Sequence, residues 1–189
     1  MTHPDDMEAV STTVYTIPEG PPETTLAVPR RDYYTTWHQT GAPLVIDFGS
    51  WHCRAGWANN PPKDETNGPL LDFENAYAKF KDRKNRNAKP VLLVGNDMYT
   101  NGSTRLQSKT PFDNGIICNA EPLEQILDYA LLQLGIQTSR VEHPIVMTEP
   151  LCAPQYHRQL VSELLFEGYN VPSVVYGIDS LYSYYENHR

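Results

Sequence analysis

The sequence has no apolar run approaching the roughly 18 residues of a membrane-spanning helix, which excludes a chain built to cross a bilayer by helices. Its start lacks the basic region and apolar core of a secretory signal. MTHPDDMEAV instead carries two Asp and a Glu, too acidic for a transit peptide as well, and this predicts a cytosolic or nuclear protein. Cysteine is scarce: Cys53, Cys118 and Cys152 are an odd number at wide spacing with no Cys-x-x-Cys pair. That excludes a disulfide framework and a zinc module, and all three are expected to be reduced and structural. Positive charge is also short, with 15 Lys and Arg against 23 Asp and Glu and a net charge of −8, so the bulk of the chain is repelled by nucleic acid at long range. No internal repeat is evident, and no His, Cys, Asp or Glu set has metal-ligand spacing.

What the chain does have is proline and polar residues at one end and apolar periodicity over the rest. Residues 1–42 hold five prolines and nine threonines with no apolar periodicity beyond Val14-Tyr15-Thr16-Ile17, and are expected to be an extended, disordered acidic arm. From Pro43 the pattern changes. Leu44-Val45-Ile46 is a short run rich in β-branched residues ending in the turn signal Asp47-Phe48-Gly49-Ser50, and Trp51–Ala58 returns as the partner strand of a hairpin. After a polar stretch over 59–90, Pro90–Gly95 reads as another strand. Leu123, Ile126, Leu127, Ala130, Leu131 and Leu134 form one helical stripe with Asn119 as N-cap and Gly135 as stop. Pro144–Thr148 reads as a buried strand, and Leu160, Val161, Leu164 and Leu165 lie on one face of a helix ending at Gly168. Val171–Gly177 is a strand, with a helix from Ile178 onward. Strand and helix alternating after a hairpin indicate an α/β layered fold with buried strands.

Chemistry concentrates in the hairpin. A glycine at such a turn allows positive φ and lets backbone N–H groups approach an anion. Ser50 could donate its hydroxyl to a terminal phosphate, Arg54 could point to the same side as a cation, and Asp47 could orient the water shell of a bound Mg²⁺. Taken alone the pattern is weak, because a Gly-Ser turn in a hairpin is usually only a turn. Ile46-Asp47-Phe48-Gly49-Ser50 with Arg54-Ala55-Gly56 nevertheless resembles the first phosphate-binding hairpin of the actin family, and the resemblance continues in register. Val94-Gly95-Asn96, Pro111–Ile117, Glu142–Glu149 and Asn170–Val174 follow in the family's order over about 43–189.

The resemblance implies the first half of an actin-like ATPase fold of the ribonuclease-H-like kind. In that division 1–42 is the arm, 43–189 the N-terminal half of the domain, and about 60–110 a small inserted second subdomain. It implies ATP or ADP with Mg²⁺ as cofactor, cradled by Asp47, Gly49, Ser50, Trp51 and Arg54, with Asp47 acting on the metal through its water. The family's second phosphate hairpin and adenosine pocket come later than Arg189, so the chain is expected to be the N-terminal part of a longer polypeptide. Ser162–Glu167 and Tyr176–Ser183 resemble the actin-related branch found in nuclear chromatin remodellers of the INO-eighty type. The partners this implies are a remodelling motor, other complex subunits, nucleosomal DNA and histones.

Departures from the family pattern temper this picture. Trp51 stands where actins usually have a second glycine, and its Cβ makes positive φ expensive. Arg54 replaces a lysine, keeping the charge but presenting a planar fork. Asp179 takes the place of the glutamine that positions the attacking water, so hydrolysis is expected to be weak or absent; alternatively Asp179 is a base, a holder of Mg²⁺ water, or an N-cap of the last helix. Lys79, Lys81, Arg83, Lys84, Arg86 and Lys89, opposed only by Asp82, give 79–89 a net charge of +5. Such a run is commonly a solvated face, and in a chromatin subunit equally a contact for DNA phosphate or acidic histone surface. It falls in the family's second subdomain and does not resemble the filament-contacting loop there, which argues against an ordinary actin filament. Tyr176, Tyr182, Tyr184 and Tyr185 are better explained by core packing than by a binding site. Asp47-Phe48-Gly49 also spells a kinase motif, but no Gly-rich loop, Val-Ala-Ile-Lys or His-Arg-Asp precedes it, which excludes a protein kinase. An active ATPase or small-molecule kinase on the actin-like fold remains the alternative function.

Overall fold

The computed structural model describes residues 33–58, 69–80, 91–100, 107–136 and 139–188. Tyr33 and Trp37 are four residues apart, and one helical turn, α1 (Tyr33–Thr36), brings both rings to the same side. Both stack on Trp57, with centroid separations of 6.1 Å for Tyr33 and 5.0 Å for Trp37. The last ten residues assigned to the arm are therefore part of the packed unit, because three large rings bury one another there. Residues 1–32 lie outside the described residues.

In β1 (Leu44–Phe48) alternation sends Leu44, Ile46 and Phe48 into the core and Val45 and Asp47 to the other face. β2 (His52–Trp57) returns antiparallel with Phe48 opposite Cys53 and Leu44 opposite Trp57, as the turn signal predicts. β3 (Leu71–Glu74) pairs antiparallel with β2, although its residues fall in the range assigned to the inserted subdomain. Beyond it β4 (Tyr77–Phe80) and β5 (Val91–Val94) form a separate two-stranded sheet followed by a 3-10 turn at Gly95–Thr100. Ala76, Ala78 and Met98 make a small apolar cluster of their own there, with Leu93 against it. A short hairpin, β6 (Phe112–Asp113) with β7 (Ile116–Ile117), leads into the first long helix.

That helix, α2 (Ala120–Gln133), buries Leu123, Ile126, Leu127, Ala130 and Leu131, the stripe read from their spacing. Burying each such Leu or Ile contributes about 1.5–3 kcal/mol relative to exposure. Asn119 is the N-cap by backbone geometry and makes no side-chain cap bond. Gly135 stops the helix at φ +84°, with Gly135 N–H donating to Leu132 O and Ile136 N–H to Leu131 O, a Schellman pattern that only a left-handed residue completes without strain. β8 (Ile145–Glu149) then lies parallel to β1. α3 (Gln155–Glu163) continues as a π-type turn over Leu164–Gly168 and ends at Asn170, whose φ of +52° makes it, and not Gly168, the left-handed stop. β9 (Val174–Ile178) pairs parallel with β8, and α4 (Asp179–Asn187) follows.

The main sheet has the order β3-β2-β1-β8-β9, mixed in direction, which is the α/β class predicted. One face, carrying Leu44, Ile46, Phe48, Cys53, Ala55, Trp57, Leu71, Phe73, Ile145 and Met147, joins α2 and the apolar side of α3 in a single core. His143 is buried at the entrance to β8, taking Tyr33 Oη at 2.8 Å on Nε2 and donating from Nδ1 to Ala42 O at 2.8 Å. α4 buries none of its residues. Tyr182, Tyr184 and Tyr185 are thus exposed where core packing was expected, since helical spacing alone does not say what lies opposite a helix. Tyr176 alone of that group packs on the core, bonded to Ser162 at 2.7 Å.

Candidate functional site

Strand register lines up a row of polar side chains on the sheet face away from the core. Asp72 stands opposite Arg54, and Arg54 opposite Asp47. The Thr148 hydroxyl donates to Asp47 Oδ1 at 2.7 Å and accepts Phe48 N–H at 3.1 Å, and Thr148 itself pairs with Gly177. The row of side chains therefore spans β3, β2, β1 and β8 and meets Gly177 on β9. Arg54 is gripped from both sides, Nε donating to Asp72 Oδ2 at 3.2 Å and Nη1 to Asp47 Oδ2 at 3.2 Å. His52 Nδ1 donates to the other oxygen of Asp72 at 2.6 Å. Partial burial works against ionisation of Asp72, but the hydrogen bonds from His52 and Arg54 outweigh it and hold the carboxyl below its usual range. Behind the row, burial pushes the Cys53 thiol far up, reinforced by Asp47 and Asp72, so it stays protonated and inert.

The hairpin tip is clamped from the strand side. Gly49 N–H donates to His52 O at 3.0 Å. Asn75, only 1% exposed, donates its side-chain amide to Gly49 O at 2.8 Å and its backbone N–H to Trp51 O at 2.7 Å. The buried Asn75 Oδ1 has no partner among the described residues. Gly49 does not use positive φ as expected; a Cβ there would stand 3.0 Å from His52 O, so closeness and not handedness requires glycine. Trp51 is not left-handed either, and the backbone penalty expected for it is absent. The residue is 66% exposed, and its ring is stacked on His52 with centroids 6.4 Å apart. Ser50 is exposed beside it.

These groups fit a polyphosphate accompanied by a divalent cation better than a bare phosphate. Ser50 offers a hydroxyl and Arg54 retains Nη2, which has no partner among the described residues. Asp47 and Asp72 together outnumber that one guanidinium, so an incoming anion must bring counter-charge with it.

The other expected site residues are dispersed. Asp179 is exposed at the first position of α4, two residues past Gly177 of the row; among the described residues its carboxylate accepts only the adjacent Ser180 N–H, and the N-cap is Ile178 with no side-chain cap bond, so Asp179 is not the N-cap that the sequence offered as an alternative. Lys79 belongs to β4 and donates to Glu121 Oε1 at 2.7 Å, so its charge is satisfied within the fold. Lys81, Arg83, Lys84, Arg86 and Lys89 lie outside the described residues. Cys53 is buried, whereas Cys118 and Cys152 are exposed free thiols, so a structural role fits only the first. No group of metal-ligating side chains occurs among the described residues, and none of their helices is long and apolar enough to cross a membrane. Asp72, Asn75 and Thr148 were not singled out from the sequence. Alternation in Leu71-Asp72-Phe73-Glu74 was the available signal for the first, and nothing local marks Asn75.

Residues 39–189 match the family model described as Actin. The chain is 49% identical over 145 residues to "Actin-like protein arp5" of Schizosaccharomyces pombe, covering 77% of this chain and 19% of that protein. It is 43% identical over 146 residues to "Actin-related protein 5" of Homo sapiens, covering 77% and 24%. To the protein of the same name in Saccharomyces cerevisiae it is 42% identical over 146 residues, covering 76% and 18%. The chain thus spans about a fifth to a quarter of the length of these relatives.

Proposed function

Because the chain belongs to the actin family, we propose that it is the first-half nucleotide-cleft region of an actin-related subunit in a nuclear, ATP-dependent chromatin-remodelling assembly. In this reading it holds ATP or ADP with Mg²⁺ and serves a motor, with nucleosomal DNA, histones and other subunits as partners. The names of its relatives support the actin-related part, and the basic run at 79–89 supports the nucleosome part. The nucleotide part is carried by one observation: Arg54 is fixed between Asp47 and Asp72 beside an exposed Ser50 at a clamped hairpin tip.

When bound, the nucleotide with its Mg²⁺ supplies a polyphosphate anion and a hydrated cation. Ser50 donates its hydroxyl to phosphate, Arg54 presents its remaining guanidinium donors, and Asp47 accepts from water of the cation while Thr148 holds its other oxygen. Asp179 sets an exposed carboxylate at the place of the family's water-positioning glutamine, which supports retention of nucleotide over turnover. No observation favours the active ATPase or small-molecule kinase.

Isothermal titration of Mg·ATP into the intact protein and its Arg54→Ala variant tests this. Losing a charge-assisted hydrogen bond of about 1.5–3 kcal/mol should weaken binding roughly tenfold or more. Equal affinities, or no binding by either protein, would refute the nucleotide reading.

A further inference from the structure

We propose that Asp72 is a positioning residue for nucleotide phosphate. It sets the orientation of the Arg54 guanidinium from the third strand, outside the hairpin that carries the phosphate-binding motif. The inference rests on the nucleotide reading above. An arginine on a strand carries about 2 kcal/mol of rotamer entropy, and holding it for a ligand beforehand removes part of that cost from binding. Register provides the hold, because Asp72, Arg54 and Asp47 are direct cross-strand neighbours on one face. The two bonds at 3.2 Å occupy Nε and Nη1 and leave Nη2 as the nitrogen without a partner among the described residues.

Asp47 already accepts Thr148 on Oδ1 and Arg54 on Oδ2, so a water of the cation would share its lone pairs with Arg54. Asp72 has no competing duty of that kind, and it is itself fixed by His52 Nδ1 at 2.6 Å. His52 is in turn stacked on Trp51 of the tip, so the tip, the histidine, the carboxylate and the guanidinium form one connected series. Asp72 and Arg54 are each 44% exposed in their side chains, and a surface ion pair of this exposure contributes little to folding. A purely structural role therefore predicts almost no effect of its removal, while a positioning role predicts an effect on phosphate that depends on Arg54.

The sign of the effect separates this from simple electrostatics. Asp72→Asn removes a negative charge from beside a polyanion, so a residue that acted only through its charge would bind nucleotide more tightly once neutralised. A positioning residue binds it more weakly. The experiment is a double-mutant cycle on the intact protein, with Mg·ADP and a non-hydrolysable Mg·ATP analogue titrated into wild type, Asp72→Asn, Asp72→Glu, Arg54→Ala and Arg54→Ala with Asp72→Asn, alongside the thermal midpoint of each unliganded protein. Asp72→Asn should weaken binding about three- to tenfold, the range expected for one side chain no longer held. Asp72→Glu should recover part of the loss, and in the Arg54→Ala background Asp72→Asn should weaken binding less than twofold.

Tighter or unchanged binding in Asp72→Asn overturns the proposal. So does equal weakening in both backgrounds, or a fall in the unliganded midpoint of Asp72→Asn large enough to account for the loss, since Asp72 would then act through the fold. If wild type binds neither nucleotide, the nucleotide reading itself fails and takes this inference with it, an outcome distinct from binding without coupling.

Discussion

Replacing Tyr33 by Phe keeps the ring and removes one hydroxyl, and the structure determines what that costs. His143 Nδ1 lies 2.8 Å from Ala42 O, which only accepts, so Nδ1 carries the proton and Nε2 of the neutral ring accepts from Tyr33 Oη. With His143 only 1% exposed, the variant leaves Nε2 as a buried acceptor without a partner, a loss of about 1–3 kcal/mol. Stacking on Trp57 survives, so the effect should stay below the roughly 3–5 kcal/mol of removing a whole buried aromatic side chain, as in Trp37→Ala. If residues 33–40 open locally, the loss converts to roughly five- to 150-fold faster exchange of the amides bonded there. These are Trp37 and His38 N–H on Tyr33 O and Thr40 N–H on Trp37 O. Hydrogen-exchange mass spectrometry of the intact protein, read on a peptide covering 33–42, makes the measurement. Unchanged exchange in both Tyr33→Phe and Trp37→Ala would refute the docking of this segment. Acceleration spread equally over α2 would show that the segment has no opening of its own.

Burial is the main cause holding both His143 and His157 below the ordinary histidine value. The unfolded chain therefore takes up protons first, so stability is full above about pH 6.5 and falls as pH drops from there toward the depressed folded values. The thermal midpoint should decline below pH 6.5, and a midpoint that rose on acidification would contradict the neutral, buried histidines. Asp179→Gln should raise a weak basal ATP hydrolysis by the full-length protein or leave it unchanged; robust wild-type turnover abolished by that change would identify Asp179 as a working base. Replacing Lys81, Arg83, Lys84 and Arg86 by Ala should weaken nucleosome binding of the assembled complex and flatten its salt dependence by about two to four units in the log–log slope. Unchanged affinity and slope would make the run a solvated loop.

The parts of the fold legible in the sequence are those where apolar spacing is both local and long. β1, β8 and the α2 stripe carry enough consecutive buried positions to reveal their period, and Gly135 marks a helix end that only a left-handed residue can make. β3 was hidden because four residues with two apolar side chains sit inside a long polar stretch, and what makes them a strand is the waiting edge of β2. α1 was hidden for a similar reason: Tyr33 and Trp37 are two aromatics in a Thr-rich arm until Trp57 supplies the surface they stack on. At the site, Asp47, Ser50 and Arg54 were legible because one hairpin brings them together within eight residues. Asp72 and Asn75 were not, since their roles depend on a register between β2 and β3 that no local pattern encodes.

That register also bears on the proposed nucleotide site. Asn75 fixes the carbonyls of Gly49 and Trp51 with two hydrogen bonds, one from its side-chain amide and one from its backbone N–H, and its buried Oδ1 has no partner among the described residues. Arg54 is likewise restrained by two carboxylates where a lysine would be held less rigidly by its single ammonium. Both features stiffen the hairpin tip and the row beside it, the side that the proposed reading sets at phosphate. At the β9 end of the row Gly177 leaves room for the ring of Tyr182, which lies against it where a Cβ would stand. On the proposed nucleotide reading, the restrained end of the row is the one set at phosphate, so that positioning is supplied before the ligand arrives and its cost is not taken from binding.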